Sequence, residues 1–446
     1  MNKRTTENAR SLSLKTLVLY EKKGIPLKSA FDDTVKDKCI TNLDRNLSYE
    51  IVFGSVKYKK YLDFIINNYL KHERLMTHTE FKWIMRNAVY QLLFLDRIPD
   101  HAVVNEAVNL TKRQSWDRKA SGTVNAVLRK IISNRLSLPV PEITLDTSTR
   151  LAVKYSHPEW LIKRWIKDFG LANTKKLMEY NNSRPVNYLR RKLRGVTRVE
   201  FENEMRGKIG ESSGYSGLYY GLKSGIPFKS TEAYKYGFGY VQSPSSGWAV
   251  SLLDVKKGKH VLEICSAPGG KTALISELAG DEGLVIACDN DSKRMELVTE
   301  TVERTGLFNV HPVVCDCRDL PLKKRFSKIL LDAPCTGTGV MSRYPESRWE
   351  RTEEDIQKKA EVQSALLEAA LDRLKIGGEL VYSTCSLQKE ENQGVVEGVL
   401  KRHKEFERKR PAGVPENMIT SSGYLFITPF EHSLDGIFGA KIRRVE

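Results

Sequence analysis

His260-Val261-Leu262-Glu263-Ile264-Cys265-Ser266-Ala267-Pro268-Gly269-Gly270-Lys271-Thr272 is the stretch that decides the fold. A β-favouring run, His260 to Ile264, enters a Pro-Gly-Gly turn, and a helix-forming segment, Lys271 to Leu278, leaves it. Two glycines at a strand-to-helix turn let the backbone come close to a ligand, and the helix N-terminus offers free N–H donors. Gly270-Lys271-Thr272 invites a phosphate-loop reading, but that motif needs glycine at position 265, where this chain has Cys265. The Gly-x-Gly-x-x-Gly spacing of dinucleotide binders is also absent. An NTPase and a hydride-transfer enzyme are therefore disfavoured.

Downstream, the same alternation continues. Strands are expected at Leu284 to Cys288, Val310 to Cys315, Ile329 to Leu331 and Glu379 to Tyr382. Helices are expected at Lys293 to Arg304, Glu354 to Leu374 and Glu391 to Arg402. Such alternation predicts an α/β, Rossmann-like, doubly wound sheet with helices on both faces, over residues 241–446.

Upstream, the pattern is helical from about residue 5 to 135. Val124, Val127, Leu128 and Ile131 recur at helical spacing, as do Ile84, Ala88 and Leu92. Pro26 and Pro99 stand where helix-to-helix turns are plausible, and Pro139 and Pro141 end the pattern. An all-α domain over residues 1–140 follows. Residues 141–240 read as a small α+β module. A helical segment with Trp160, Trp165 and Leu177 gives way to the basic run Pro185 to Arg191, a Gly/Ser/Tyr-rich stretch from Gly210 to Gly225, and Tyr234 to Tyr240.

The chain of 446 residues has a net charge of +17, concentrated in its first part. Residues 1–150 hold 26 Lys/Arg against 16 Asp/Glu and residues 151–240 hold 17 against 8, whereas residues 241–446 hold 29 against 31. Basicity confined to one part of a chain points to a polyanion, nucleic acid first. Seven scattered cysteines suit a reduced, cytoplasmic protein better than a disulfide scaffold. No apolar stretch has the length of a membrane helix. The polar segment Met1 to Arg10 is not expected to be a secretory signal.

Three aspartates close successive strands. Asp289 ends the second strand about twenty residues past the glycines, where a carboxylate can accept both hydroxyls of a ribose; Asp316 ends the third and Asp332 the fourth. Each singly could be a cap or a solvated carboxylate. With the Gly-rich turn, they fit an adenosyl cofactor without a phosphate chain, and S-adenosylmethionine is the candidate. No metal is expected, since Cys315-x-Cys317 is too closely spaced for a zinc half-site and has no histidine nearby.

Two cysteines complete the set. Cys335 lies in Asp332-Ala333-Pro334-Cys335-Thr336-Gly337-Thr338-Gly339 and Cys385 in Tyr382-Ser383-Thr384-Cys385-Ser386, each just past a buried strand. Free cysteine is often a small core filler. At strand ends beside Pro, Gly and hydroxyl residues, it is better read as a potential nucleophile. A methyl donor beside a thiol suggests methylation of a carbon that is not itself nucleophilic, such as C5 of cytosine. Thiolate addition at C6 makes C5 electron-rich, and loss of the C5 proton with expulsion of the thiolate ends the cycle. The second thiol could act as the base or assist release. Asp332 could hydrogen-bond or protonate the ring nitrogen.

The segments Cys265 to Thr272, Asp332 to Gly339 and Ser383 to Ser386 closely resemble the Sun/NOP group of RNA 5-methylcytosine methyltransferases. The resemblance implies that Cys385 is the nucleophile and that Cys335 assists product release. It also implies cofactor contacts from Cys265, Ser266, Ala267, Pro268, Gly269, Gly270, Lys271, Asp289, Asp316 and Asp332. Asn87 to Phe94, Arg97-Ile98-Pro99 and Val124 to Arg129 look like the NusB-like RNA-binding domain of the group's bacterial 16S rRNA enzyme. His157 to Leu161 and Asn182-x-Arg184-Pro185 are similar to that enzyme's middle module, of RRM-like type, and Asp435 to Lys441 to its C-terminal end. A monomer acting on 16S rRNA, away from membranes, is the expectation. One departure is Gln242-Ser243-Pro244, where the group has Gln-Asp. A tRNA cytosine methyltransferase is disfavoured by the NusB-like half. A non-catalytic assembly factor is disfavoured by the intact cysteines and aspartates.

Overall fold

A computed structural model describes residues 7–36, 38–71, 73–114, 119–223, 225–226 and 228–446. Residues 1–6 of the polar N-terminal segment, and Ser224 in the Gly/Ser/Tyr-rich stretch, lie outside the described residues. The chain divides into two compact units. One comprises residues up to Asn182 with Tyr344–Glu350, the other Ser183–Arg343 with Arg351–Glu446.

The first unit is helical. Its helices include Ala9–Lys23, Asn42–Lys57, Lys59–Tyr69, Thr79–Phe94, Asp100–Lys112 and Lys119–Ser133. The residues picked out by helical spacing, among them Val124, Leu128, Ile131, Ile84 and Ala88, lie in one buried apolar cluster. Pro26 and Pro99 are N-cap residues of the helices Leu27–Val35 and Asp100–Lys112, where a fixed φ and a missing N–H cost nothing. A long helical segment, Glu159–Asn182, is broken at Gly170, whose φ of 77° lies in the left-handed region. Arg348, which the sequence did not flag, is fully buried in this unit. It donates to the carbonyls of Ser156 and Asn181 (both 3.1 Å) and to Asn182 Oδ1 (2.9 Å). Burial among neutral acceptors pulls its pKa down to about 9.

The second unit opens with four antiparallel strands: β1 (Tyr188–Arg191), β2 (Ile209–Ser213), β3 (Tyr219–Leu222) and β4 (Gly239–Val241). Their order β2-β3-β1-β4, with helices Arg198–Glu204 and Glu232–Lys235 between, is the βαββαβ ferredoxin-like arrangement. A second sheet follows, of β5 (His260–Ile264), β6 (Leu284–Asp289), β7 (Val310–Val314), β8 (Phe326–Asp332), β9 (Leu374–Thr384), β10 (Phe406–Lys409), β11 (Leu425–Ile427) and β12 (Ile437–Arg444). Its order is β10-β12-β9-β8-β5-β6-β7, with β11 also on β12. Strands β5 to β9 pair in parallel, and β10 to β12 add antiparallel pairings. The chain order reverses beside β5, between β6 and β8, the switch point at which open sheets of this type bind ligands.

The five parallel strands fall where the sequence places them. The antiparallel strands β10 to β12 were not expected, because β10 is Phe-Glu-Arg-Lys and shows no apolar run. The helix expected from Glu391 begins at Gln393, and Leu374, expected to end a helix, is the first residue of β9. Within this unit a buried ion pair ties the first sheet to the helix that follows β5: Arg190 on β1 lies 2.6 Å from Glu277 of helix Gly270–Ala279. Tyr240 Oη also donates to Glu277 (3.0 Å), and the Arg190 guanidinium lies 4.2 Å from the Tyr240 ring centroid.

Candidate active site

Strand β5 delivers the Gly-rich turn. Cys265 leaves the strand at φ 61°, the Ala267–Pro268 peptide is cis, and Gly269 at φ 95° is the N-cap of helix Gly270–Ala279. A Cβ on Gly269 would stand 3.2 Å from Val298 Cα, so both conformation and space demand glycine. Asp289, at the end of β6, is buried. Its Oδ2 accepts from the Ala267 N–H and its Oδ1 from the Asp291 N–H, both at 3.1 Å, so it braces the turn. Ser266 N–H donates to the Cys288 carbonyl at 3.0 Å, and Arg294 Nη2 to the Ala267 carbonyl at 2.6 Å.

Lys271 projects to Asp332 at the end of β8, with Nζ 2.5 Å from Oδ2. Asp332 Oδ1 accepts from Ser383 Oγ at 2.8 Å, which links β8 to β9. Burial opposes the Lys271 charge, but Asp332 outweighs it and raises the ammonium pKa. Asp316 is the outlier. It is exposed, and Arg318 holds its carboxyl down at about 2 by hydrogen bonding, with Nη2 2.6 Å from Oδ2. No hydrogen bond joins it to another expected site residue among the described residues.

The two cysteines, fifty positions apart, meet with sulfurs 3.0 Å apart. The contact with Cys385, and then burial, push the Cys335 thiol well above the ordinary thiol range. Behind them stands Glu391, which by sequence is expected only to begin a helix. It is fully buried. Oε1 accepts from Thr336 N–H (2.8 Å) and Gln363 Nε2 (3.1 Å); Oε2 accepts from Thr336 Oγ1 (2.5 Å) and from Ser386 Oγ. Thr336 and Ser386 are the residues immediately after the two cysteines. One carboxyl thus grips both cysteine loops. Gly339 seals the junction: its N–H donates to the Cys385 carbonyl at 2.9 Å, and a Cβ there would lie 2.8 Å from the same oxygen.

A second carboxyl lies under the turn. Glu263 is fully buried, and neither of its oxygens has a hydrogen-bond partner among the described residues. Burial raises its pKa from 4.5 to about 8. The folded protein therefore keeps a proton that the unfolded chain has lost. Stability from this source is full below about pH 4.5 and is lost as pH rises through about 8. Glu263→Gln is expected to flatten that slope, measured as the difference in urea unfolding free energy between pH 5 and pH 8.5. An unchanged difference would contradict the buried neutral carboxyl. Ser243 marks the departure from Gln-Asp: it is the N-cap of helix Pro244–Ser251, but its side chain caps nothing and its Oγ is buried without a partner.

Family models match the whole arrangement: NusB family at residues 7–133, an RsmF/B-like ferredoxin-like domain at 157–208, and 16S rRNA methyltransferase RsmB/F at 250–443. The "Probable ribosomal RNA small subunit methyltransferase B" of Bacillus subtilis is 30% identical over 98% of this chain and 99% of its own length. Ribosomal RNA small subunit methyltransferase B of Yersinia pestis is 31% identical with the same coverage. The chain belongs to this family. It is an S-adenosylmethionine-dependent rRNA methyltransferase by descent, with a NusB domain before a Rossmann-like catalytic fold. Among solved structures, PH0851 aligns with a TM-score of 0.83 at 26% identity, over 99% of this chain and all of that one. A methyltransferase homolog protein from Pyrococcus horikoshii aligns at 0.58 and 27% identity, over 67% of this chain and all of its own. No helix among the described residues is long and apolar enough to cross a membrane.

Proposed function

We propose that the chain methylates C5 of a cytosine in small-subunit rRNA through a covalent cysteine adduct. The observation that carries this reading is the 3.0 Å contact of Cys335 and Cys385 beside the Lys271–Asp332–Ser383 chain. The raised pKa of Cys335 keeps its proton on that sulfur, where it can hydrogen-bond to Cys385. Lys271 places its ammonium within electrostatic reach of the Cys385 sulfur. Cys385 then forms the carbon–sulfur bond at C6, and Asp332 holds a proton or hydrogen bond at the ring nitrogen. When bound, S-adenosylmethionine supplies the methyl group from its sulfonium. As the bond to Cys385 breaks, Cys335 passes its proton to the departing Cys385 sulfur and takes the C5 proton in its place, which restores the aromatic ring and frees the enzyme.

The donor set suits that cofactor. Gly269 turns the chain at positive φ into the N-terminus of helix Gly270–Ala279, Asp289 ends β6, and Glu263 offers a buried carboxyl without a hydrogen-bond partner among the described residues beneath the turn. We assign cofactor contacts to Cys265 to Lys271, Asp289, Asp316 and Asp332; for Asp316 this requires its carboxyl to leave Arg318. We assign RNA holding to residues 1–240 and chemistry to 241–446. Bisulfite mapping of small-subunit rRNA, with and without the protein, tests the reaction: loss of one protected cytosine is expected, and methylation confined to another atom would refute it. RNA affinity should also fall steeply with salt, because cations provide most of the binding. A flat response would contradict the assignment of residues 1–240.

A further inference from the structure

Within the helical unit, a cavity of about 740 Å³ opens between the bundle and residues 138–141. Its walls carry two chemistries. Tyr58 and Phe94 stack with centroids 4.3 Å apart, and Tyr61 meets Phe94 edge-on at 6.3 Å; all three rings are half-buried and line the space. Arg150, Lys154 and Lys175 line it too, and among the described residues no aspartate or glutamate does. None of these cations has a carboxylate partner among the described residues. Arg150 Nε is buried without a hydrogen-bond acceptor, and its Nη2 reaches only Thr147 Oγ1 at 3.4 Å. Lys154 and Lys175 are exposed at the rim.

We infer that this cleft is a binding site for an unpaired nucleotide segment of the RNA, distinct from the methylation site. Aromatic faces beside unpaired cations form the combination that holds single-stranded nucleic acid: bases stack on rings while phosphates follow the positive charges. A buried guanidinium nitrogen lacking an acceptor fits a phosphate oxygen. An acidic peptide would satisfy the cations but would leave the Tyr61 ring, which meets Phe94 edge-on, without a flat partner. The Pro139-Val140-Pro141 wall, with Val140 80% exposed, adds apolar surface against which a ribose or base edge can pack. The inference rests on the chain acting on RNA, but not on which atom it methylates.

The test uses the full-length protein and a short unpaired oligoribonucleotide. Lys154→Ala with Lys175→Ala removes two exposed cations without touching the core. Affinity at low salt should fall about tenfold or more, and the slope of log K against log salt should shrink by about 1.4, as for two lost phosphate contacts on a single strand. Tyr61→Leu should weaken binding by roughly 5- to 150-fold for an oligonucleotide with bases. It should leave binding of an abasic oligomer of the same length unchanged, an outcome that general misfolding cannot produce. Parent-like helical circular dichroism and thermal unfolding report that the helical unit of both variants is folded. Unchanged affinity and salt slope in the lysine pair would overturn the site while leaving the rRNA methyltransferase reading intact. So would a cleft that binds polyglutamate in preference to RNA.

Discussion

Cys385→Ala is expected to abolish methyl transfer, by at least about 10⁴-fold, while S-adenosylmethionine binding is retained; Cys335→Ala is expected instead to accumulate a covalent protein–RNA adduct that survives denaturing gels. The two effects differ because the thiols differ in environment, although their sulfurs touch. Cys385 lies one residue beyond β9, within electrostatic reach of the Lys271 ammonium. Cys335 is held protonated by its neighbour and by burial. Removing the attacking sulfur leaves no route to an electron-rich C5. Removing the other sulfur leaves attack and transfer possible but slows the final elimination, so the adduct persists. Denaturing electrophoresis of each variant with labelled RNA distinguishes them. An adduct trapped by Cys385→Ala, with Cys335→Ala turning over normally, would reverse the assignment.

Glu391→Ala should reduce methyl transfer by about two orders of magnitude and destabilise the protein by about 3–5 kcal/mol, since it strands several buried donors at once. Glu391→Gln should recover most of both. Its amide oxygen can still accept from Thr336 N–H and Gln363 Nε2, and its amide nitrogen can donate to the hydroxyls of Thr336 and Ser386. The hydrogen bonds of the carboxyl go to Thr336, Gln363 and Ser386, and to neither sulfur. It holds the residue after each cysteine, and so sets the distance between the sulfurs. It is therefore a positioning residue. A merely structural role would lower yield and melting temperature but leave kcat of the folded fraction intact. A fall in kcat per folded molecule, restored by Gln, is the outcome that supports positioning. Urea denaturation and single-turnover kinetics on the same preparations separate the two. Equal kcat in parent and Glu391→Ala would exclude the clamp.

The catalytic half was legible because its signals are local. A parallel strand buried on both faces reads as an apolar run, and a turn that needs left-handed backbone reads as Gly. Hence β5 to β8 and the turn at Gly269 fall where the sequence places them. The helical half was legible through periodicity, with Val124, Leu128 and Ile131 all in the core. The antiparallel strands were not. β10 is three-quarters charged, and Gly439 and Lys441 interrupt the apolar run of β12, although its Ile437, Phe438, Ala440 and Ile442 are buried. Glu391 was hidden for a similar reason. Beside Glu390 and before a helix it looks like one more solvent-facing acid, and only the folded loops reveal that four donors converge on it.

The sequence alone determined the kind of chemistry. The Pro-Cys and Thr-Cys segments, the Gly-rich turn and the strand-end aspartates are short-range patterns, and each residue type carries its reactivity wherever it sits. The tertiary structure alone decided which of those residues act on one another. Cys335 and Cys385 meet because β8 and β9 pair in parallel, bringing Asp332 opposite Ser383 and their strand ends together. The same folding left Asp316 outside with Arg318 and drew Glu263 and Glu391 into the interior. Distances and burial between positions far apart in the chain follow from strand order and packing, which no local pattern encodes.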